Sequence, residues 1–473
     1  MIFNSFSFLL FFTVFFLLYY LLNKQIKLQN ILLLIGSYIF YGWWDFRFLS
    51  LIIFSTLVDY WVGNKISSSH THNRKRNLLI FSLGVNLGLL MIFKYYNFFI
   101  TSLYDSLNHL GYTIENPLVL NIILPVGISF YTFQTLSYSI DIYRGKIQPA
   151  KSLISFATFV GYFPQLVAGP IERASNLLPQ IENSRNITSK NLSIGSRLIL
   201  WGFFKKVVIA DSLAIPVDDI FFNYDTLTGD TLFLGMLFFS FQIYCDFSGY
   251  SDIAIGLSRC LGIKLMSNFK FPYFSRNISE FWRKWHISLS SWFKDYLYIP
   301  LGGSSNNSLL TLRNVGLVFV ISGLWHGANW TFIIWGVAHF FYYVLEFVFK
   351  KNRTYLGDPL LPAFSFPYFK QLFLQLKTFT LVAFAWIFFR SENIAAAFEY
   401  IHRMLTTYSG SFEYIRFLYY PVLLWFFDYI SRKDEIKIYR YLNFKFVFLI
   451  DFFLIYSVLG YFNNTSRFIY FTF

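Results

Sequence analysis

Long apolar runs alternate with short polar loops along the whole chain. A transmembrane helix needs about 20 apolar residues, and fewer where the bilayer is thin. Twelve runs meet or approach this length: residues 3–22, 31–44, 47–63, 77–99, 117–140, 192–210, 231–247, 310–325, 328–349, 371–389, 414–430 and 446–462. The pattern predicts an all-α polytopic membrane protein with about twelve transmembrane helices.

One further apolar run, residues 153–170, is interrupted by helix breakers. It contains Gly161, Pro164, Gly169 and Pro170. Irregular backbone at membrane depth is stable only where protein or a water-filled cavity covers it. We therefore predict a broken or re-entrant segment that does not cross the membrane.

The distribution of positive charge orients the runs. With the N-terminus outside, the inner loops hold 28 of the 39 Lys and Arg residues, and the outer loops with the C-terminal tail hold three. Cytoplasmic loops are the basic ones in membrane proteins. Both termini are therefore predicted outside, and a full crossing at residues 153–170 would weaken this bias.

The predicted inner segment 248–309 is unusually long, and it carries seven basic residues, many aromatic residues and several Pro and Gly. This combination is typical of short amphipathic or re-entrant helices at a membrane surface. A helical hairpin at residues 310–349 follows it. Because no internal repeat or low-complexity linker divides the chain, we predict one membrane domain over residues 1–473.

Composition supports this class and excludes others. Hydrophobic residues make up 56% of the chain, and charged residues only 14%, against about 25% in soluble proteins. The net charge of +14 is spread over loops instead of one face, which argues against nucleic-acid binding. The first run lacks a preceding basic residue and a cleavage site, so it is expected to stay as a helix. The two cysteines lack a metal-type spacing, and no metal is expected.

Two histidines carry the chemistry that the sequence suggests. His326 lies in the turn of the hairpin, where Gly323 and Gly327 would let the backbone approach a ligand, and His286 lies in the inner segment. An ionisable group at membrane depth marks a functional site, and imidazole is a general base near neutral pH. Each histidine also has a simpler interpretation, as a hydrogen-bonded residue at the membrane interface beside tryptophans. The two lie on opposite halves of the membrane, unless one reaches into a shared cavity; His339 is expected to face the bundle.

Other polar groups lie in or beside the apolar runs. Asp246 lies at the end of the run 231–247, and Asp252 follows six residues later. We expect both to pair with Arg259 or other basic residues of the inner segment. Gln165 and Asn329 are candidates to line a cavity. None of these residues has the spacing of a metal site.

Several longer blocks of the sequence are more specific than any single motif. They are FWRKWHISLS (281–290), DYLYIPLGG (295–303), GLWHG (323–327), FPQLVAGPI (163–171), YCDFSGYSD (244–252), NFKFPY (268–273) and the C-terminal FIYFTF (468–473). Together these blocks resemble the membrane-bound O-acyltransferases. The most similar branch is that of the alginate O-acetyltransferase membrane subunits, with the peptidoglycan O-acetyltransferase subunits close by. The glycine pair of YIPLGG favours this branch over the D-alanyl transferases of teichoic acids.

The resemblance implies a fold, an activity and partners. The fold would be a ring of helices around a central tunnel that leads from the cytoplasm to the outer face of a bacterial inner membrane. His326 would be the catalytic histidine and His286 the second characteristic histidine. The donor would be cytoplasmic acetyl-CoA or another acyl thioester, with no bound cofactor. An exported acetyltransferase partner would pass the acetyl group to an exported or cell-wall polysaccharide, alginate-like or, alternatively, peptidoglycan; D-alanyl transfer to teichoic acid is a further alternative.

The basic inner segment is a natural place for the phosphates of an anionic donor, because Arg and Lys recognise phosphate. The donor-binding candidates are Arg283, Lys284, Trp285 and Ser288. The tunnel-lining candidates are Gln165, Asp246, Trp325 and Asn329. Inner loops are basic in any membrane protein, so topology alone would also explain this charge.

Two classes without this chemistry also fit a hydrophobic chain in membrane lipid. A polysaccharide transporter or flippase would carry buried polar groups, but it would be expected to show two matching halves, and the sequence shows none. A scaffold subunit of an envelope complex would explain the apolar runs. It would not explain a histidine in a membrane turn.

Overall fold

The computed structural model describes residues 1–112, 118–167, 169–304, 307–356, 366–410, 413–431, 444–461 and 469. Within these ranges every regular element is a helix. The predicted all-α class is therefore confirmed.

The chain forms two compact units, and the first comprises Met1–Ser196 and Ala254–Met266. Its α-helices are Phe6–Leu21, Ile26–Gly42, Leu49–Ser68, His72–Leu90, Tyr96–His109, Ile128–Tyr143, Leu153–Gly161, Phe163–Leu166 and Ala174–Glu182. A π-helical turn, Met91–Tyr95, joins the fourth of these helices to the fifth.

The second unit comprises Arg197–Ile253 and Ser267–Phe473. Its α-helices are Asp211–Phe222, Ile278–Lys284, Ile287–Phe293, Ser308–His326, Trp330–Val348, Phe366–Arg390, Ile394–Thr406, Tyr419–Ser431 and Phe444–Tyr461. Two π-helical segments, Phe204–Ala210 and Lys294–Tyr298, belong to it as well. The helices Ser189–Phe203 and Gly229–Cys260 contribute residues to both units.

In the described part of the chain, six helical stretches are long and apolar enough to cross a membrane. They are Phe46–Ser68, His72–His109, Gly229–Cys260, Ser308–His326, Trp330–Val348 and Phe369–Arg390. Three shorter apolar helices are Phe6–Leu21, Ile26–Gly42 and Leu449–Tyr461. The protein is therefore a multi-pass membrane protein, whereas the count of twelve crossings and the ring around a tunnel stay predictions.

Two predicted boundaries are wrong. The run at 231–247 is part of a helix that continues to Cys260 and ends where Gly262 adopts a left-handed conformation with φ +77°. The predicted crossing at 117–140 is not one helix, because residues 118–127 are not helical and the helix begins at Ile128. In the first case the polar residues after 247 were taken for a loop, although Ser248, Ser251 and Ser258 are buried in the helix.

The segment that was predicted to be broken is broken. The helix Leu153–Gly161 stops at Tyr162, and a single turn, Phe163–Leu166, with Pro164 at its start follows. Tyr162 takes a non-helical ψ of 103°, as is typical of the residue that caps the start of a helix. Both pieces are almost entirely buried.

The first unit has a polar core around one carboxylate. Asp59 is fully buried and accepts hydrogen bonds from Ser82 Oγ at 2.5 Å, Asn86 Nδ2 at 2.8 Å and Ser139 Oγ at 3.0 Å. These donors come from two neighbouring helices, so the carboxylate holds three helices together. Hydrogen bonds of this kind between membrane helices contribute on the order of 1 kcal/mol each.

The hairpin that carries His326 is closely packed because of its glycines. A Cβ on Gly323 would lie 2.3 Å from the backbone oxygen of Phe332, and a Cβ on Gly336 would lie 2.4 Å from that of Phe319. Only glycine permits such an approach of two helix backbones. The role that the sequence suggested for Gly323, close approach to a ligand, is therefore replaced by close approach of the facing helix.

Candidate active site

His286 lies in a turn between two short helices, Ile278–Lys284 and Ile287–Phe293. Its backbone is left-handed, with φ +43° and ψ 54°, and its side chain is fully buried. A residue with a β-carbon adopts this conformation only at a cost, and such outliers cluster at functional sites. The turn aims the imidazole into the second unit instead of letting one helix continue through residue 286.

Asn268 holds this turn in place. Its backbone oxygen accepts the Ile287 N–H at 2.9 Å, and its side-chain oxygen accepts the Ser288 N–H at 3.3 Å and the Ser288 hydroxyl at 2.9 Å. Its amide nitrogen donates to Ser251 Oγ at 3.1 Å. One asparagine thus connects the turn to the long helix Gly229–Cys260.

The same contacts assign the tautomer of His286. Its Nδ1 lies 3.1 Å from Asn268 Oδ1. A backbone N–H can only donate, so the bond from Ser288 N identifies this amide atom as the oxygen, and Nδ1 of His286 must carry the proton. Burial lowers the pKa of His286, so the ring is neutral. The other nitrogen, Nε2, is therefore a hydrogen-bond acceptor, and it has no hydrogen-bond partner among the described residues.

His326 is the last residue of the helix Ser308–His326 and is 4% exposed. Three aromatic rings enclose it, with centroid distances of 5.1 Å to Trp325, 5.1 Å to Trp335 and 5.3 Å to Phe389. All three rings are turned edge-to-face against the imidazole. Such an enclosure excludes water and strengthens any charge interaction formed inside it.

The structure brings the two histidines together. The ring centroids of His286 and His326 are 6.4 Å apart, and Trp325 lies beside both rings. Of the two arrangements that the sequence left open, a shared site is therefore the one observed. No sequence spacing signals this contact, because two α-helices, a π-helical segment and a loop separate the two residues along the chain.

A third buried histidine extends the same aromatic enclosure. His339 is fully buried, and its Nδ1 accepts the indole N–H of Trp282 at 3.3 Å. Its ring packs at 5.0 Å against Trp335, the neighbour of His326. His339 thus faces the interior, as predicted.

Polar atoms in this enclosure lack hydrogen-bond partners. In the described ranges, Nε2 of His286, Nε1 of Trp335 and Nε2 of His339 are buried and have none. A buried donor or acceptor without a partner costs about 1–3 kcal/mol, so such atoms call for an explanation. The acceptor on His286 and the N–H donor on Trp335 belong to rings beside His326, and the N–H donor on His339 lies on the far side of this group, against Trp335. A bound acyl group and its oxyanion could satisfy the two atoms nearest His326.

The two basic donor-binding candidates have different environments. Lys284 is bound to Glu280 at 2.8 Å, and Arg276 binds the same carboxylate at 3.1 Å. Burial raises the pKa of Glu280, but the bonds from Arg276 and Lys284 outweigh it, and the pKa falls below its ordinary value. Arg283 is exposed and forms no ion pair with any residue that the structure describes, so its guanidinium is available to an anion.

The two other donor-binding candidates are enclosed by protein. Trp285 is 1% exposed and stacks on Phe281 at a centroid distance of 5.5 Å. Ser288 is also buried, and its hydroxyl donates to Asn268. Both residues shape the turn around His286, and their part in binding a donor stays a prediction.

The four predicted tunnel-lining residues fall in different places. Gln165 is buried in the first unit, and Trp325 contacts both histidines of the second. Asn329 caps the helix Trp330–Val348 by accepting the Thr331 N–H at 3.1 Å and donates to the backbone oxygen of Glu392 at 2.8 Å. Asp246 is buried in an ion pair, so three of the four have clear structural roles or site contacts.

The partners predicted for the two aspartates are wrong. Asp246 binds Lys206 at 2.6 Å and Asp252 binds Lys205 at 2.5 Å, so neither pairs with Arg259. Both lysines come from the π-helical segment Phe204–Ala210, whose wider turn places two adjacent side chains on the buried side. Two lysines inside an apolar run were the available signal, because charges at that depth are paired.

Sequence reasoning also missed the residues that support the histidines. Asn268 was quoted only as part of a family block, and Trp335 only as part of an apolar run, whereas His339 was expected to face the bundle but was given no role at the site. A tryptophan in a membrane helix is common, so nothing marked Trp335 before its neighbours were known. Among the described residues no group of His, Cys, Asp and Glu could hold a metal.

An all-helical membrane protein with two buried imidazoles in one water-excluding enclosure has the parts of a membrane-embedded transferase. A family model described as MBOAT, the membrane-bound O-acyltransferase family, matches residues 147–356. The chain belongs to the membrane-bound O-acyltransferase family and is an acyltransferase.

Curated relatives place the chain more closely. It is 43% identical over 398 residues to the probable alginate O-acetylase AlgI of Pseudomonas syringae pv. tomato, with 84% of this chain and 74% of the relative covered. It is 36% identical over 419 residues to the peptidoglycan O-acetyltransferase of Helicobacter pylori, with 82% and 77% covered. The teichoic acid D-alanyltransferase of Bacillus subtilis is 28% identical over 252 residues, with 50% and 63% covered.

Proposed function

We propose that this O-acyltransferase moves an acetyl group from a cytoplasmic thioester, acetyl-CoA, across a bacterial inner membrane for O-acetylation of an exported polysaccharide. The observation that carries the proposal is the pair of buried histidines at 6.4 Å in an aromatic enclosure. Alginate-like polymers are the preferred acceptor class because relatives named alginate O-acetylases are 42–44% identical to the chain. Both termini lie outside in this proposal, as the positive-inside rule requires.

His326 acts as the general base. An acceptor hydroxyl gives its proton to the imidazole while its oxygen attacks the thioester carbonyl carbon. The tetrahedral oxyanion then collapses, the carbon–sulfur bond breaks, and the leaving thiolate takes the proton from the imidazolium. General-base assistance of this kind is worth about 10²–10⁴ in rate.

His286 supports the base by accepting a hydrogen bond. Because Asn268 keeps the proton on Nδ1, the neutral ring presents only a lone pair at Nε2, and it cannot donate to an oxyanion. It can accept an N–H from the imidazolium form of His326 and stabilise that charge. The role of the second histidine is therefore positional and electrostatic.

Trp335 is the donor that fits the oxyanion. Its indole N–H is buried without a partner in the described part of the chain, and its ring lies 5.1 Å from His326. A preorganised N–H in a water-excluded site stabilises developing negative charge without reorganisation. The thioester carbonyl would point its oxygen toward this N–H, and its carbon would face the attacking hydroxyl.

Arg283 holds the anionic end of the donor in this proposal. Its exposed guanidinium has no ion-pair partner within the described ranges. Arg283 lies in the last turn of the helix Ile278–Lys284, which ends two residues before His286. Lys284 supports the site indirectly, because its charge is already bound to Glu280. Guanidinium is suited to phosphate because of its planar pair of donors.

The negative charge near the outer end of the enclosure favours transfer through an intermediary protein over direct contact with an anionic polymer. Asp225, Glu392 and Glu399 are exposed and surround Tyr224. Asn329, three residues after His326, is bound to the backbone oxygen of Glu392. These carboxylates would repel alginate, so we infer that an exported acetyltransferase partner receives the acetyl group and completes the transfer.

Peptidoglycan is the second candidate acceptor. The relative named a peptidoglycan O-acetyltransferase shares 36% identity over 82% of this chain, so the same machinery serves more than one glycan in the family. D-alanyl transfer to teichoic acid has weaker support, from a match over half of the chain. The relatives do not favour a transporter.

The test is acetyl transfer by purified protein in lipid nanodiscs with radiolabelled acetyl-CoA. The wild type should release CoA and label an acceptor, and His326→Ala should lose at least about 100-fold of this rate. His402→Ala is the control, because His402 is exposed on the helix Ile394–Thr406. Equal rates for wild type and His326→Ala would overturn the catalytic assignment.

A further inference from the structure

An arginine in the first unit is buried without a counter-charge. Arg185 lies in the loop after the helix Ala174–Glu182, and it is 5% exposed although Ser184 and Asn186 on either side are exposed. The loop thus turns one charged side chain inward. Long cationic side chains normally extend toward water at such a position.

The contacts of Arg185 are all neutral. Its Nη2 donates to Asn30 Oδ1, and its guanidinium lies 5.6 Å from the ring centroid of Tyr19. Asn30 Nδ2 donates to the backbone oxygen of Ile181 at 3.0 Å, which fixes the amide so that its oxygen faces the arginine. Gly262 borders the site, since a Cβ there would lie 3.3 Å from Cβ of Arg185.

Most of the hydrogen-bonding capacity of Arg185 is unused. Within the described ranges, Nε and Nη1 are buried with no hydrogen-bond partner, and no carboxylate forms an ion pair with the guanidinium. The nearest acid along the chain, Glu182, is bound to Lys151 instead, at 3.9 Å to its side chain and 2.7 Å to its backbone N–H. A buried charge without a counter-ion is strongly unfavourable, so such a charge is normally paired.

We propose that Arg185 is the centre of a phosphate-binding site in the first unit, assembled with Asn30 and Tyr19. The missing partner must be an anion that accepts several N–H bonds, and phosphate matches the guanidinium fork. The loop lies on the side that the charge bias predicts to be cytoplasmic. Basic pockets between membrane helices on that side bind lipid headgroups.

Two sources of phosphate meet this chemistry. One is the headgroup of an anionic phospholipid, which would make the site a lipid anchor independent of the reaction. The other is the acyl donor, acetyl-CoA, and this outcome rests on the proposed function. Both leave the same guanidinium neutralised, so an experiment must separate them.

Three variants test the site. Arg185→Gln removes the charge. Asn30→Asp keeps the arginine but puts a carboxylate where Asn30 Oδ1 now contacts it, so an internal ion pair should displace the phosphate. Lys190→Gln is the matched control, because Lys190 is exposed at the start of the helix Ser189–Phe203.

The first measurement is thermal unfolding in detergent with added phosphatidylglycerol, compared with diacylglycerol of the same chains. If lipid is the source, phosphatidylglycerol should raise the Tm of the wild type and of Lys190→Gln by about 2 °C or more, and should shift neither of the other variants. Native mass spectrometry of the wild type should then show retained phospholipid, which tests the site even if Arg185→Gln does not fold.

The second measurement is the KM for acetyl-CoA. If the donor is the source, Arg185→Gln and Asn30→Asp should raise KM about tenfold or more with a smaller change in kcat, and phosphatidylglycerol should have no specific effect. The proposal would be overturned if Asn30→Asp showed the same Tm shift with phosphatidylglycerol and the same KM for acetyl-CoA as the wild type. Loss of all transfer by the wild type itself would instead count against the proposed function, and the lipid measurement would still decide the site.

Discussion

Two buried polar clusters in the second unit differ in how their polar groups are paired. In the first, Lys206 lies 2.8 Å from Asp211 and 2.6 Å from Asp246, and Asp246 also accepts the Ile469 N–H at 2.7 Å. Every one of these charges faces an opposite charge or a donor. In the second, Nε2 of His286 and Nε1 of Trp335 have no hydrogen-bond partner among the residues that the structure describes.

This difference indicates which cluster stabilises the fold and which one binds a substrate. A paired network holds helices in register and gains nothing from a ligand. An enclosure that keeps buried donors and acceptors unfilled is less stable than it need be, and that cost is recovered only when a substrate supplies the partners. The Lys–Asp network is therefore read as scaffold and the histidine enclosure as the site.

Breaking the paired cluster should give the largest effect. Lys206→Met leaves Asp211 and Asp246 buried without their cation, and it should lower the free energy of unfolding by about 3–5 kcal/mol. The measurement is thermal or denaturant unfolding in detergent. Lys294→Met, at an exposed lysine, should change stability by less than about 0.5 kcal/mol.

A triple variant sharpens this prediction. Replacing Lys206, Asp211 and Asp246 together by apolar residues of similar size should recover much of the loss, because no uncompensated charge remains. If Lys206→Met unfolded like the wild type, the network would not be the scaffold that its geometry indicates.

Removing one donor from the unfilled cluster should have the next largest effect, on rate instead of stability. Trp335→Phe keeps the ring beside His326 but deletes the N–H assigned to the oxyanion, and kcat should fall about 10²–10³-fold with little change in KM. The measurement is steady-state acetyl transfer. Trp386→Phe is the matched control, because that ring stacks on Trp335 at 5.5 Å and lies edge-to-face against Phe389 at 5.1 Å. Equal losses in both variants would assign Trp335 a packing role only.

The sequence predicted the class and the outline of the site but not its internal connections. The apolar runs at 310–325 and 328–349 match the helices Ser308–His326 and Trp330–Val348 closely, because membrane depth demands unbroken apolar helix. His326 and His286 were both identified as candidates. Their contact was not predicted, since side chains 40 positions apart carry no periodicity that links them.

Two of the wrong predictions, the end of the run at 231–247 and the partners of its aspartates, have a common physical cause. The helix Gly229–Cys260 was ended at residue 247 because Asp246 and Asp252 look like the start of a loop. They continue the helix because Lys205 and Lys206 neutralise them from another helix. A single sequence shows each charge but not its partner, so buried ion pairs and loop ends look alike before the fold is known.

Disturbing the support of His286 should have a moderate effect. Asn268→Ala removes the acceptor that keeps the proton on Nδ1, so the neutral ring can adopt the other tautomer and lose its acceptor at Nε2. The rate should fall about 10–100-fold, as is typical when a residue that orients an imidazole is lost. Ser290→Ala, in the adjoining helix, is the control. Partial rescue by Asn268→Gln, with its amide retained, would separate orientation from general loss of folding.

The smallest expected effect is a pH dependence of stability that arises in the histidine cluster. Burial lowers the pKa of His286, so the folded protein resists a proton that the unfolded chain accepts below its ordinary pKa of about 6.5. Stability should therefore fall as the pH drops below that value, with a contribution of up to about 1.4 kcal/mol per pH unit from this residue.

His286→Asn should remove that contribution, because asparagine does not titrate in this range. Unfolding in detergent at intervals between pH 7 and pH 5 should show a shallower decline for the variant than for the wild type. Parallel declines in the two proteins would mean that His286 takes up its proton in the folded state, and the neutral tautomer assigned from Asn268 would then be wrong.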